Sequence, residues 1–187
     1  MLRECMLFGF MMVCAVATIA NAAERYHLGR PITSDELAGW NIDVRADGAG
    51  LPVGHGSVRE GQQIYATTCA GCHGANGEGK PMDRLVGGFG TLNTASPAQT
   101  VGSYWPYATT LFDYIRRAMP FNAPQSLTAD QVYAVAAYVL YLNKIVPEDA
   151  ILDAKTLAKV QMPNRNGFTS PDPRPDIKTT PCMKDCR

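Results

Sequence analysis

The sequence has no excess of charge of either sign, and it has only one long apolar run. Its 17 Lys and Arg residues balance 17 Asp and Glu residues, so the formal net charge is zero. Nucleic-acid-binding proteins usually have a basic excess, so the balance argues against a nucleic-acid partner. The apolar run at 6–19 has about 15 residues, fewer than the roughly 20 that a spanning helix needs. No second run follows, and we expect a soluble mature protein with no membrane partner.

The apolar run belongs to an expected secretory signal peptide at 1–22. Arg3 precedes the run, and Ala20 and Ala22 supply the small residues of an A-x-A cleavage site. The alternative is an uncleaved membrane anchor, for which the run is short. The signal predicts a periplasmic protein. Such an oxidising compartment leaves few thiols unpaired.

No credible pair of strands can be found in the sequence, whereas several segments have helical spacing. The first helix begins at Ser57, with Glu60 completing a capping box. A second covers roughly 110–119, and a third follows Thr128 with an apolar stripe at i, i+3, i+4. A shorter helix is expected at about 149–160. The sequence therefore predicts an all-α fold.

The segment between the first two helices, 74–105, is rich in Gly, Pro, Asn and Ser. Compact domains rarely contain so long a loop unless something fills the space, and a cofactor fits that requirement. We therefore expect an N-terminal arm at 23–56, a cofactor-binding domain at 57–146 and a C-terminal extension at 147–187.

Cys69, Cys72 and His73 form a C-x-x-C-H motif, by which c-type haem is attached. Two thiols three positions apart can add to the two vinyl groups of one porphyrin, and the adjacent histidine can reach its iron. Three alternatives are a zinc site, which needs two further ligands, a thioredoxin-like redox pair, which needs a βαβ context, and a structural disulfide. The motif occurs once and predicts one covalently bound haem c.

The two axial iron ligands are expected to be His73 and Met119. The other ring nitrogen of His73 should donate to a carbonyl, for which Pro81 is the candidate. Met119 lies at a helix end before Pro120, on a turn that can fold over the ring. The remaining candidates in the mature chain are Met82, Met162, Met183, His27 and His55. Ligation by His and Met leaves no open position and indicates electron transfer; a haem enzyme or gas sensor would need an open one.

Further residues have expected roles around the haem or in the tail. Tyr104 or Trp105 can hydrogen-bond a propionate or simply pack on the haem edge. Arg116 can neutralise a propionate or dock an acidic partner, although a solvated helix face also explains it. Cys182 and Cys186, with three residues between them, are expected to form a local disulfide. The alternative for these two cysteines is pairing with a partner chain.

The spacing of Gly61, Tyr65 and Cys69 resembles that of class I cytochromes c. In that class the glycine and the aromatic residue of the first helix pack against an aliphatic and an aromatic residue of the last. Val135 and Tyr138 match those places here. The resemblance implies a class I cytochrome c fold, here with extended N- and C-terminal arms.

Longer segments resemble SoxD, the family of cytochrome c subunits of periplasmic sulfane (sulfur) dehydrogenases, and the likeness covers nearly all of the mature chain, from Leu28 to Cys186. These segments are GRPITSDELAGWNIDVRADGAGLPVGHGSVREGQQIY, TVGSYWPYATTLFDYIRRAMPFNAPQSLT and PCMKDC. The resemblance implies an electron-transfer subunit that accepts electrons from a molybdenum-cofactor sulfane or sulfite dehydrogenase subunit. It also implies a soluble cytochrome c as the acceptor. Some SoxD proteins carry a second haem domain, but this chain has one motif. The alternative is a free-standing periplasmic electron carrier.

Overall fold

The computed structural model describes residues 29–168, which fall into an N-terminal unit ending at Asn41 and a larger unit from Ile42. The N-terminal unit contains helix α1 (Ser34–Ala38), which is capped by the side chain of Thr33. The predicted signal peptide at 1–22 and the predicted disulfide between Cys182 and Cys186 lie outside the described residues.

The larger unit is mainly helical, which confirms the predicted fold class. Its elements are β1 (His55–Ser57), α2 (Val58–Thr68), α3 (Ala70–His73), α4 (Ala108–Ala118), α5 (Ala129–Leu142), β2 (Ile151–Asp153) and α6 (Ala154–Leu157). Over residues 29–168 no helix is long and apolar enough to cross a bilayer.

The short strands β1 and β2 pair in antiparallel orientation, and the prediction of no strand pair was wrong. Gly56 lies opposite Leu152 in this register. Strands of three residues are too short to show alternation in a sequence. A Cβ on Gly56 would lie 2.2 Å from the backbone nitrogen of Ala134, so the pair packs directly on α5. Part of the segment expected as a helix at 149–160 is therefore β2.

Helices α2 and α5 begin at the predicted capping boxes, whereas α4 has no side-chain cap. The hydroxyl of Ser57 accepts from the backbone nitrogen of Glu60, and the Glu60 carboxylate accepts from the backbone of Ser57. The hydroxyl of Ser57 also donates to the Glu60 carboxylate, and this hydrogen bond, together with that from the Ser57 backbone, holds the pKa of Glu60 below its ordinary value. Thr128 and Gln131 form the same reciprocal pair at α5. Each pair satisfies backbone donors that a helix start otherwise leaves unpaired.

The core forms where α2 crosses α5. The rings of Tyr65 and Tyr138 pack with centroids 5.3 Å apart, as the class I resemblance implies. Gly61, however, faces Ala134 and Tyr138 rather than Val135. Adjacent residues on a helix point about 100° apart. Because Ala134 faces Gly61, Val135 points away from this crossing and lines a cavity between α5 and the C-x-x-C-H motif.

Both predicted arms contribute to the larger unit. The backbone nitrogen of Val44 donates to the Asp113 carboxylate on α4 at 3.1 Å. At the other end of the chain, Leu152, Leu157 and Met162 are buried in the core. Parts of the chain on both sides of the predicted haem domain at 57–146 therefore pack against its helices.

Candidate functional site

A cavity of about 420 Å³ lies among the C-terminal end of α2, α3, the loop at 82–85, α4 and α5. Cys69, Cys72, His73 and Met119 all line it. The rest of the lining is largely apolar and includes Leu85, Val101, Trp105, Leu111, Ile115, Leu127, Val135 and Val139. The structure therefore brings the predicted attachment motif and the predicted methionine to one apolar space.

The two thiols and the histidine are presented by a break in the helix. Helix α2 ends at Thr68, and Cys69 caps both α2 and α3 with φ of −114°. The backbone nitrogens of Cys72 and His73 both donate to the carbonyl of Cys69, at 3.1 and 3.0 Å. This single turn sets the spacing of the three side chains. The two cysteines are not joined in a disulfide, and in the polypeptide before haem attachment burial, with a smaller contribution from neighbouring Cys72, raises the pKa of the Cys69 thiol to about 11.

The ring of His73 is oriented by a backbone carbonyl. Its Nδ1 lies 2.8 Å from the carbonyl oxygen of Asp83, so the prediction of Pro81 as the acceptor was wrong. The backbone nitrogen of Met82 donates to Cys72, and that of Lys80 donates to Met82. This tight turn reverses the chain at Pro81 and brings the carbonyl of Asp83 to the ring. With Nδ1 engaged, Nε2 is the nitrogen available to a metal.

Met119 is held at the end of α4. Its backbone nitrogen donates to the carbonyl of Ile115 at 3.0 Å, and its extended φ and ψ of −119° and 144° end the helix. Arg117, in the turn before it, forms ion pairs with Asp113 at 3.0 Å and Asp43 at 2.6 Å. The thioether thus sits on a tethered helix end.

The other predicted haem contacts divide into two groups. Trp105 lines the cavity, with its ring packed edge-on against Tyr114 at 5.6 Å. Tyr104 and Arg116 do not line it. Tyr104 packs instead against Phe168 at 5.2 Å, because the segment after Met162 lies beside this loop. Because neither Tyr104 nor Arg116 lines the cavity, the structure does not support the predicted contacts of these two residues with a propionate.

Several lining residues were not singled out as site residues from the sequence. Leu111 and Ile115 of α4 are four positions apart, as are Val135 and Val139 of α5, so helical periodicity was the available signal. Phe121 follows Met119 in a loop, and no sequence pattern marks it. Met82 and Phe121 line the cavity while remaining 52% and 84% exposed, which places them where it meets the surface.

The donor set fits haem better than the alternatives. In the described part of the chain, no group of three or more His, Cys, Asp and Glu side chains could hold a metal ion, as a zinc site would require. A large apolar space lined by two thiols, an oriented imidazole and a thioether suits an apolar macrocycle with iron at its centre. Cys69 and Cys72 would bind its periphery, and His73 and Met119 its iron.

Comparison with known proteins agrees with this chemistry. The cytochrome c family model matches residues 58–143. The crystal structure of the sulfane dehydrogenase SoxCD from Paracoccus pantotrophus is similar, with 40% sequence identity and a TM-score of 0.76. That match covers 86% of this chain and 81% of that chain, and so extends beyond the segment matched by the family model. The chain therefore belongs to the cytochrome c family, as a SoxD-like electron-transfer cytochrome with covalently bound haem c.

Proposed function

We propose that the chain is the electron-transfer subunit of a periplasmic molybdenum-cofactor dehydrogenase that oxidises sulfane or sulfite sulfur, and that it passes electrons to a soluble cytochrome c. The similarity to SoxCD over 86% of the chain supports this most strongly. A free-standing carrier needs only the haem domain, and such a likeness would then be expected over 58–143 alone.

The cavity residues have complementary roles in this proposal. Haem c, when bound, supplies a one-electron iron centre. Cys69 and Cys72 tether it, while His73 and Met119 occupy both axial positions and leave none for oxygen or peroxide. The Asp83 carbonyl keeps the imidazole oriented and makes it more basic. The apolar lining excludes water and so favours the reduced state, which carries less net charge.

Electron exchange is proposed to occur where the cavity meets the surface. Met82, Phe121 and Cys72 line the cavity and are exposed. A partner that docks here approaches the haem edge without displacing either axial ligand. The chain is proposed to oxidise no sulfur compound by itself.

Purification of the chain from its own cells through a mild affinity tag tests the subunit role. We expect co-elution with a second protein and with molybdenum, and reduction of the haem when a persulfide or sulfite is added to the complex. The isolated chain should stay oxidised with either substrate. Elution of the chain alone, without molybdenum, would instead support a free-standing carrier.

Carbon monoxide distinguishes electron transfer from haem enzymes and gas sensors. The reduced native chain should not bind it, because Met119 occupies the sixth position. Rapid binding at neutral pH would show an open position and would support the enzyme or sensor class.

The remaining proposals concern processing of the chain. The secreted protein should begin at Ala23, and its intact mass should include one haem and the loss of two hydrogens from Cys182 and Cys186. Cell fractionation should place it in the periplasm. A mass that includes 1–22, or one that lacks the loss of two hydrogens, would overturn the cleavage or the disulfide respectively.

A further inference from the structure

We propose that Asn143, outside the cavity lining, is a positioning residue that fixes the loop carrying the Asp83 carbonyl and thereby orients His73. This inference rests on the proposed role of His73 as an iron ligand. Asn143 caps α5 and is 2% exposed. It is one of four buried polar residues among those that the structure describes, and its side chain binds the loop that carries Asp83 and Leu85.

The amide of Asn143 joins that loop to α5 through both of its polar atoms. Its Nδ2 donates to the carbonyl of Leu85 at 3.1 Å and to that of Val139 at 2.9 Å. Its Oδ1 accepts from the backbone nitrogen of Gly87 at 3.2 Å. The side chain of Asn143 thus binds the loop at both Leu85 and Gly87, and the same side chain is bound to Val139 of α5.

The contact point lies close to the histidine acceptor. Leu85 is two residues after Asp83, whose carbonyl oxygen lies 2.8 Å from Nδ1 of His73. The backbone nitrogens of Leu85 and Val86 also donate to the carbonyl of Gly77, so residues 77–86 form a closed loop. Asn143 joins this closed loop to the helix core.

The surroundings of Asn143 leave its amide no alternative orientation. A Cβ on Gly102 would lie 2.2 Å from Oδ1, so the backbone at Gly102 packs directly against the amide. Reversal of the amide would place NH2 against the nitrogen of Gly87 and oxygen against two carbonyls. Only an asparagine side chain supplies both functions in this volume.

Two substitutions and one control separate positioning from simple stability. Asn143→Leu keeps the branched shape of the side chain, with somewhat larger bulk, and removes all three of its hydrogen bonds, and Asn143→Ser is too short to reach Leu85. The control is Thr109→Val, because Thr109 is 1% exposed and donates to Ala46, away from the loop. All three variants should lower the Tm of the holoprotein.

The His73 ring is the readout that a merely structural role would not change. We expect both Asn143 variants to speed solvent exchange of the His73 Nδ1 proton, followed by NMR in the reduced holoprotein, by about tenfold or more. The reduction potential should rise, because a weaker hydrogen bond makes the imidazole less basic. Thr109→Val should change neither. An Asn143 variant with a lower Tm but unchanged exchange and potential overturns the proposal.

Wild-type protein provides a test that does not depend on a variant folding. If Asn143 holds the loop, the Nδ1 proton of His73 and the amide proton of Gly87 become accessible in the same opening event. Their protection factors should agree within about threefold. Protection of the His73 proton that is more than tenfold weaker means that the Asp83 contact opens without Asn143 and overturns the proposal. Haem-shifted ring signals of His73 test its ligation separately.

Discussion

A Cβ atom on Gly61 would lie 1.9 Å from the carbonyl oxygen of Ala134. The backbones of α2 and α5 are therefore in direct contact at this crossing, and no side chain fits between them. The crossing fixes the position of α2, which leads into Cys69, relative to α5, which supplies Val135 and Val139 to the cavity.

Replacement of Gly61 by Ala should therefore force the two helices apart. The added methyl group would also lie 2.8 Å from Cβ of Tyr138, so no flexible side chain can yield. Overpacking of this kind costs about 1–3 kcal/mol or more. Denaturant unfolding should show that loss, together with a lower yield of holoprotein. Gly39→Ala is the control, since its Cβ would meet nothing within 4 Å, and an equal loss there would contradict the account.

The carboxylate of Asp113 should matter more to stability than the guanidinium of Arg117. Asp113 accepts from the backbone of Val44 as well as from Arg117, whereas Arg117 is 40% exposed and binds carboxylates only. Asp113→Ala should reduce the free energy of unfolding by about 1–3 kcal/mol, because it leaves a partly buried backbone donor unpaired. Arg117→Gln should reduce it by about 1 kcal/mol or less. Equal losses from the two variants would argue against the Val44 contact.

Stability should fall at alkaline pH partly through Tyr133. Burial, with a smaller contribution from the Asp153 carboxylate, raises the pKa of Tyr133 from 10.0 to about 12. The folded state therefore favours the neutral phenol, so this contribution is complete below pH about 10 and is lost as the pH rises towards about 12. Tyr133→Phe should lower the free energy of unfolding at neutral pH by about 1 kcal/mol, because the hydrogen bond to Pro52 is lost.

The same substitution should flatten the pH dependence between about pH 10 and pH 12. Urea unfolding of both proteins across that range measures the two slopes. Tyr65, whose pKa burial also raises, is present in both proteins and cancels in the comparison. Identical slopes would show that Tyr133 titrates alike in the folded and unfolded states.

Covalent attachment should depend on both cysteines of the motif. Cys69 is half-buried in the cavity wall, whereas Cys72 is exposed. Each single Cys→Ala variant should retain at most one thioether bond, and the double variant should lose all haem on a denaturing gel stained for haem. Haem that stays attached to the double variant would contradict this site.

The sequence predicted the local features of the site well and the tertiary ones poorly. The C-x-x-C-H motif and the Thr128 capping box depend on neighbours within a few positions, so their spacing is sufficient to find them. The role of the Asp83 carbonyl as the His73 acceptor was missed because the position of that carbonyl depends on hydrogen bonds within the loop and on Asn143. Asn143 binds the carbonyl of Leu85, which is 58 positions away in the sequence. The strand pair was missed for the same reason, since β1 and β2 each have three residues and Gly56 pairs with Leu152, which is 96 positions away.

Ligation of one haem iron by His73 and Met119 should produce the red-edge charge-transfer band that marks a methionine-ligated ferric haem. Met82 also lines the cavity, so Met82→Leu is the matched control for Met119→Leu. We expect the band in the wild-type protein and in Met82→Leu, and its loss in Met119→Leu. Absence of the band from the wild-type protein, or its survival in Met119→Leu, would contradict the account.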